Sequence, residues 1–409
     1  MTARPDPEDW RRNVFALALA VFVAFVGFQF FAPFLPLYVQ QLGVTDPGRV
    51  ALWSGLLAAV TPAISGLLSP LIGRLADRFG RKMMLIRSLA GFVVIISAMG
   101  LVTSVEQLLV ARMLQGLFAG FSPMAMALAT VSAPREKVPV AIGMVQSAQL
   151  LSVAIGPAAG GYVASHFGIR YAFFVTAGMC ALALIGLIFL YTEPAGPRAP
   201  GSRGPAPGGS FRDLVRQPHF LVVLILLLIA QFIDRGLALL IPLHVAHLPG
   251  TAAVAAISGT IISVAAVTAT LSSSGAGRLA QGIPAARLLL IGLLAGGPLC
   301  AVLGLGESWV LLLVLRALGG LALGGTITLA YTLGGMIVPG RERGAAFGWL
   351  AMGVMAGTAA SPLVTGALAA VSLPGAFVFT GALAWAGAAL LFFAARELLA
   401  RRDSGDAPA

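Results

Sequence analysis

The only carboxylate that lies well inside a long apolar run of this chain is Asp234, and Arg235 follows it directly. The run reads LVVLILLLIAQFIDRGLALLIPLHV and covers residues 221–245. A charge at the centre of a membrane costs about 2.5–3.5 kcal/mol on insertion scales, so such side chains normally face a cavity or an opposite charge. A carboxylate there can bind and release a proton, and its two charge states favour different partners. The pair therefore predicts a site of proton exchange.

Two interpretations of Asp234 are open at this point. In the first, Asp234 forms a structural ion pair with an arginine of another apolar run, either Arg112 in LLVARMLQG or Arg316 in LLVLRALGG. In the second, which we favour, Asp234 lines a central cavity where protonation competes with substrate or with that ion pair. Arg112 and Arg316 each lie near the end of a run, so snorkelling to the membrane surface is an alternative for both.

The composition requires a membrane protein. The 409 residues are 58% hydrophobic and 10% charged, whereas soluble domains average about 45–50% and about 25%. The net charge of +11 would indicate a nucleic-acid partner in a soluble protein, but here the basic residues lie almost entirely in loops between apolar runs.

The apolar runs predict twelve membrane spans. Their predicted bounds are 14–40, 50–76, 82–103, 106–131, 139–165, 169–192, 218–246, 252–275, 284–304, 308–337, 343–370 and 374–397.

Lysine and arginine are concentrated in alternate loops, and this bias sets the orientation. With the N-terminus inside, the outer loops hold only Arg49 and Arg170, so both termini are predicted to be cytoplasmic. The run after Trp10 is too long for a signal peptide and predicts a retained first span. Residues 193–217, rich in Pro, Gly and Ser, predict a cytoplasmic linker, and residues 398–409 a cytoplasmic tail.

The chain contains an internal repeat. Its pairs are offset by 204 to 206 residues, as in GRLA at 73–76 and 277–280, Arg112 and Arg316, and Pro36 and Pro242. Gln29 is the counterpart of Arg235 and is expected to add a polar group from the first span. The repeat predicts two pseudo-symmetric six-helix bundles of one orientation, at 1–192 and 218–397. A channel built from repeats would need charge rings and a filter loop, which the sequence lacks.

A dense charge motif, GRLADRFGRK, occupies residues 73–82 between the second and third spans. Gly73 and Gly80 permit a tight turn, and Asp77 can make charge-assisted hydrogen bonds that hold one closed arrangement. The basic residues around it are Arg74, Arg78, Arg81 and Lys82. The alternative is an ordinary basic inner loop that only sets topology.

The fifth span contains a second motif, IGPAAGG, with Gly156, Pro157, Gly160 and Gly161. Proline removes a backbone donor and bends a helix, while the small residues let helices approach closely. Simple small-residue packing is the alternative to a functional bend.

These motifs together resemble those of the major facilitator superfamily, whose loop signature G-x-L-A-D-R-x-G-R-K is complete here. The second copy has Gln281 in place of the aspartate. RxxQG, with Arg112, Gln115 and Gly116, and GPxxGG are similar to motifs of the drug:proton antiporters of that superfamily. The resemblance covers both halves.

The resemblance implies an all-α membrane protein with twelve transmembrane helices in the major facilitator fold. It implies that Asp77 and Arg81 form an inner gate latch, that Arg112 influences proton coupling and that Pro157 bends the fifth span. The family latch often continues to an acid at the inner end of the fourth span, where this chain offers only Glu136 in the following loop.

The expected function is therefore proton-coupled export of amphipathic small molecules across the bacterial cytoplasmic (inner) membrane, by a chain expected to be monomeric. A metabolite or sugar facilitator or symporter is a second possibility, because Gln29, Gln115 and Gln231 offer hydrogen bonds. A lipid flippase or membrane sensor is a third. No nucleophile and base set, metal cluster or nucleotide loop is visible, so we expect no enzyme, no cofactor, no metal and no nucleic-acid partner.

Overall fold

A computed structural model of the protein describes residues 9–118, 120–134, 137–192, 216–217, 219–249, 253–280, 282–338 and 343–400. These residues form helices and short connections, with no strand among them. A 3-10 turn, Ala32–Phe34, separates the first two helices. The helices are α1 Asp9–Phe31, α2 Leu35–Gln41, α3 Pro47–Phe79, α4 Arg81–Leu101, α5 Val105–Leu117, α6 Phe121–Ser132, α7 Val138–Phe167, α8 Ile169–Leu190, α9 Phe220–His247, α10 Val254–Leu279, α11 Ala285–Leu303, α12 Trp309–Leu323, α13 Thr326–Ile337, α14 Arg343–Val371, α15 Leu373–Ala394 and α16 Arg396–Ala400.

Eleven stretches of the described residues are helical, long and apolar enough to cross a membrane. They coincide with eleven of the twelve predicted spans, which confirms those spans as membrane-crossing candidates. The remaining predicted span, 106–131, consists of two helices, α5 and α6, on either side of residue 119, which lies outside the described residues; the span at 308–337 likewise consists of two helices, α12 and α13. The chain is thus an all-helical, multi-pass membrane protein.

The interruption between α5 and α6 is built from specific contacts. Helix α5 ends at Leu117, whose carbonyl oxygen accepts a hydrogen bond from Nη2 of Arg87 at 2.8 Å. The Arg87 guanidinium also lies 4.9 Å from the centroid of the Phe118 ring. Gly120 then adopts a left-handed conformation with φ of 102°, from which α6 begins. An arginine that satisfies the terminal carbonyl and a glycine that turns the chain together end one helix and start the next.

The chain divides into two compact units, each of which also contains the beginning of a helix from the other half of the sequence. The first comprises residues 1–46, 60–201 and 251–263, and the second residues 47–59, 202–250 and 264–409. Of the predicted linker 193–217, the structure describes only Arg216 and Gln217, and of the predicted tail 398–409 only residues 398–400.

A buried serine joins equivalent helices in each unit. In the first unit, Oγ of Ser152 in α7 donates to the carbonyl oxygen of Phe22 in α1 at 3.0 Å. In the second unit, Oγ of Ser361 in α14 donates to the carbonyl oxygen of Phe232 in α9 at 2.5 Å. The two contacts join equivalent helices but not equivalent positions, because the serines are 209 residues apart and the acceptors 210, whereas the repeat offset is 204 to 206.

A repeated contact is made by α2 and by the last turn of α9. The hydroxyl of Tyr38 donates to the carbonyl oxygen of Met99 at 2.8 Å, and Nε2 of His244 lies 2.8 Å from the carbonyl oxygen of Gly306. Because a carbonyl only accepts, Nε2 of His244 is the donor in this bond. Tyr38 and His244 are 206 residues apart, which is the offset of the neighbouring Pro36 and Pro242.

The turn at Gly120 gives a test of the interruption in the fourth predicted span. Gly120→Ala is expected to lower the free energy of unfolding, because the left-handed conformation costs an alanine about 1–2 kcal/mol and its Cβ would lie 2.8 Å from Cγ2 of Ile72. The matched control is Gly143→Ala within α7, where a Cβ meets nothing within 4 Å. The measurement is the thermal unfolding midpoint of both variants in detergent. Equal midpoints would contradict the described turn.

Candidate functional site

Asp234 of α9 pairs with Arg316 of α12 in the second unit. Nη2 of Arg316 lies 3.4 Å from Oδ1 of Asp234, and Nε of Arg235 lies 4.0 Å from Oδ2 of the same carboxylate. The Asp234 side chain is 54% exposed, whereas that of Arg316 is only 8% exposed. Of the two arginines considered as partners, Arg316 is the one that forms the ion pair.

The exposure pattern of α9 separates this pair from the rest of the helix. Between residues 226 and 245, Asp234 and Arg235 are the only exposed positions. A helix side that faced acyl chains would expose apolar side chains. The middle of α9 instead presents an acid and a base, an arrangement that fits an opening reached by water.

The guanidinium of Arg316 depends on Asp234. Its Nε is buried and has no hydrogen-bond partner among the described residues, so the carboxylate supplies its ionic contact. Removing one partner of a buried ion pair leaves the other charge uncompensated, which is strongly destabilising. Asp234 itself is half-exposed and is therefore the more accessible member of the pair.

Arg112, the repeat counterpart of Arg316, has a different environment in the first unit. It is buried, its Nη1 donates to Oε1 of Gln115 at 2.8 Å, and its guanidinium lies 5.9 Å from the ring centroid of Phe31. Arg112 and Gln115 are three residues apart on α5, so they lie on one helix face. A Cβ on the following Gly116 would overlap Ile64 of α3, so this glycine lets α5 and α3 approach closely. The predicted RxxQG residues are therefore brought together.

The first span contributes aromatic rings and one amide to the same unit. Phe28 packs edge-on against Phe92 of α4 at 5.0 Å and lies 6.3 Å from Phe121 of α6, with Phe25 at 5.8 Å from both Phe28 and Phe121. Phe25, Phe28 and Gln29 are all half-buried. Phe92 and Phe121 lie in other spans and carry no motif, so nothing in the sequence marks them as partners of these rings.

The loop between α3 and α4 is held to neighbouring helices by its basic residues. Gly80 has φ of 94° and forms the turn. Nη1 of Arg81 donates to the carbonyl oxygen of Ala127 in α6 at 3.3 Å, and Nζ of Lys82 donates to that of Tyr191, directly after α8, at 2.6 Å. Tyr191 was not anticipated from the sequence, because nothing local marks a carbonyl acceptor.

The acidic part of the predicted latch is located only by its backbone. Gly73 and Asp77 lie in the last turns of α3, and Arg78 is exposed with its guanidinium 5.4 Å from the ring of Phe79. The side chain of Asp77 lies outside the described part of the chain, as does the whole of Glu136. The latch between Asp77 and Arg81 thus stays a prediction.

The GPxxGG motif packs on two sides of α7. On one side, a Cβ on Gly160 would overlap the backbone of Phe30, and one on Gly156 would overlap Cβ of Gln29, so both glycines bring α7 close to α1. On the other side, Gly161 contacts the backbone of Ala255, the second residue of α10. The motif therefore forms close contacts with both helices.

Pro157 lies within α7 and does not end it. Its carbonyl oxygen lies against Gly259 of α10, and the next amide, the N–H of Ala158, donates to Oγ of Ser263 at 3.0 Å. Small-residue packing, the alternative for this motif, is thus present, and a functional bend stays a prediction. Within the described residues, no three or more His, Cys, Asp or Glu side chains are grouped so that they could hold a metal ion.

Comparison with known proteins connects these features. The sequence matches the Major Facilitator Superfamily over residues 17–281 and 255–408. The chain belongs to this superfamily. It is 34% identical over 334 residues to the multidrug resistance protein MdtG of Klebsiella pneumoniae (strain 342), with 81% of each chain covered. It is 35% identical over 329 residues to the protein of the same name from Dickeya zeae (strain Ech586), with 80% of each chain covered.

Solved structures of transporters share the fold. A bacterial homologue of the human lysosomal transporter Spinster superposes with a TM-score of 0.78 at 20% identity, and the match covers 100% of both chains. The human organic anion transporter MFSD10 superposes with a TM-score of 0.65 at 16% identity, over 95% of this chain and 100% of that one. These similarities confirm the major facilitator fold expected from the sequence motifs.

The contact between Gly160 and Phe30 gives a test of the GPxxGG packing. Gly160→Val is expected to destabilise the protein by about 1–3 kcal/mol or more, because added methyl groups in a tight contact force the helices apart. Gly178→Val in α8 is the control, since a Cβ at this exposed position meets nothing within 4 Å. Thermal unfolding and the yield of monodisperse protein in detergent measure the difference. Equal stability of the two variants would rule out the close contact.

Proposed function

We propose that this protein is a proton-coupled secondary transporter that exports amphipathic small molecules by alternating access. Membership of the superfamily and the similarity to proteins named for multidrug resistance support export of such compounds. The basic inner loops support an orientation with both termini in the cytoplasm. Bacterial relatives favour the inner membrane as its location, and the chain is proposed to act as a monomer.

The observation that carries the proton coupling is the isolated exposure of Asp234 and Arg235 on α9. A carboxylate at membrane depth is expensive unless it is paired, and Asp234 is paired with Arg316 at 3.4 Å while keeping 54% of its side chain exposed. It therefore combines an ionic partner with access from outside the packed helices. These are the two properties that a proton-exchange site needs.

The coupling step follows from the charges of the pair. Ionised Asp234 neutralises the buried guanidinium of Arg316. A proton on Asp234 removes that charge and ends the ion pair, so Arg316 must move or find another acceptor. Release of the proton restores the pair. Protonation of Asp234 is thereby linked to the position of α12 relative to α9 within one unit. A substrate that contacts Asp234 competes with both the proton and Arg316.

Apolar recognition is assigned to the first unit. Phe25 and Phe28 are half-buried and belong to a cluster of four rings. Aromatic rings offer large apolar contact surfaces without demanding a fixed hydrogen-bond pattern. Gln29 adds one amide beside them. This combination suits amphipathic compounds better than sugars, whose hydroxyl groups need several fixed hydrogen bonds.

Replacement of Asp234 tests the proton coupling. Asp234→Asn is expected to abolish efflux against a concentration gradient, because the amide cannot exchange a proton, while insertion in the membrane is retained. The measurement is efflux of a cationic amphipathic dye from proteoliposomes after a pH step, with dye exchange at equal concentrations as a second assay. Loss of uphill efflux with retained exchange identifies a coupling residue.

Controls separate this from a structural role. Glu397→Gln, at an acid whose side chain is 82% exposed, should behave like the unmodified protein. Arg316→Gln should weaken coupling and cost less thermal stability than Asp234→Asn, since it leaves the half-exposed Asp234, and not a buried guanidinium, without its partner. If Asp234→Asn still exports against a gradient, Asp234 is structural and the proposal fails.

The latch is tested by Asp77→Asn. The loss of charge is expected to shift the balance between inward-open and outward-open forms without removing substrate binding, because Asp77 lies at the end of α3 and not in the proposed binding region. Labelling rates of reporter cysteines on each side, together with dye affinity, measure the two effects. Arg278→Gln in α10, at the repeat counterpart of Arg74, is the control. Unchanged labelling rates in Asp77→Asn would exclude a gating role.

A further inference from the structure

A cavity of about 560 Å³ lies between the beginning of α1 and the beginning of α7. It is in the first unit and is separate from the Asp234 pair. Trp10, Arg11, Arg12 and Phe15 line it from α1, and Lys137 and Met144 are among the residues that line it from the other side. Its size lies within the range of about 300–1,000 Å³ that is usual for small-molecule sites.

The charged part of the cavity has three cations from two chain segments. Arg11, Arg12 and Lys137 are all exposed. Among the residues whose side chains the structure describes, no acid forms a salt bridge with any of them. Arginine forks bind phosphate oxygens in a bidentate manner, and lysine adds a point charge. The three together favour a phosphate group.

The remaining wall of the cavity is apolar and faces outward. Phe15 is 60% exposed and Val140 is 50% exposed, and both belong to helices that cross the membrane. Trp10 lies at the same level as the cations, with the Arg11 guanidinium 5.7 Å from its ring. Tryptophan beside arginine at the end of a membrane span is typical of the headgroup level. Farther into the membrane than the headgroups, the exposed side chains of Phe15 and Val140 face acyl chains.

We propose that this cavity binds an anionic glycerophospholipid of the inner leaflet. The phosphate group contacts Arg11, Arg12 and Lys137, and an acyl chain lies along Phe15 and Val140. A soluble phosphate would use the cations but not the outward-facing apolar wall. A basic pocket between membrane helices on the cytoplasmic side is the chemistry by which anionic headgroups are recognised. The bound lipid would join the first and fifth spans at their inner ends.

The test uses the full-length protein, purified in a neutral detergent. Native mass spectrometry measures retention of phosphatidylglycerol and of phosphatidylcholine with identical chains. The protein is expected to retain the anionic lipid preferentially. The triple variant Arg11→Gln, Arg12→Gln, Lys137→Gln is expected to lower its affinity on the order of 100-fold, because each surface cation contributes roughly fivefold. Binding of phosphatidylcholine should change little.

A matched triple variant controls for general charge attraction. Arg216→Gln, Arg278→Gln, Arg396→Gln removes three exposed cations from the second unit and is expected to change affinity by less than about twofold, as expected for charges outside the site. Phe15→Ala keeps all charges and should weaken retention of both lipids by shortening the apolar wall. It also provides a test if the first triple variant folds poorly.

The outcomes decide the proposal. Preferential loss of phosphatidylglycerol in the first triple variant, with the control triple unchanged, supports it. Equal losses in both triple variants indicate only general attraction and overturn it. Displacement of the lipid by millimolar inorganic phosphate, or no effect of Phe15→Ala, indicates a soluble anion as the ligand and also overturns it.

Discussion

The pairing of a buried guanidinium with a reachable carboxylate is the interaction on which the second unit depends. Arg316 is 8% exposed and its partner Asp234 is 54% exposed, so the two charges differ in access although they lie 3.4 Å apart. In the first unit, the equivalent Arg112 bonds the neutral amide of Gln115 instead. The repeat thus keeps a buried arginine in both halves, and in the second unit this arginine has the carboxylate of Asp234 as its ionic partner.

The helices that carry these groups are packed together by uncharged hydrogen bonds and close contacts. Ser152 and Ser361 hydrogen-bond the backbones of α1 and α9 in the same way, and glycines such as Gly160 remove the side-chain volume that would hold helices apart. Between helices in lipid, such packing and hydrogen bonds replace the hydrophobic driving force of soluble proteins.

Local properties of the sequence were sufficient to predict the spans. They were insufficient to predict the ion-pair partner of Asp234 and the end of α5. Hydrophobic length located eleven spans because it is read from consecutive residues, and the repeat located Arg112 and Arg316. The repeat could not show which of the two arginines pairs with Asp234, because that choice depends on a contact between residues 82 positions apart in the sequence. The break after Leu117 was also missed. Gly120 and Pro123 mark it, but Pro157 and Pro242 lie inside continuous helices. A proline in a membrane span therefore does not reveal whether its helix ends.

Exposure has a different meaning at each depth of a membrane protein. On the middle of α9, the exposed side chains are an acid and a base, and an apolar solvent would penalise both. At the beginning of α1, exposed Arg11 and Arg12 are followed by exposed Phe15 and Leu19, an order that matches water and headgroups first and acyl chains next. Similar exposed fractions thus fit an opening reached by water in one helix and a lipid contact in the other. The two helices differ in the pattern of their exposed positions. Along α1 these positions change from charged to apolar, whereas in the middle of α9 they are charged and have buried neighbours.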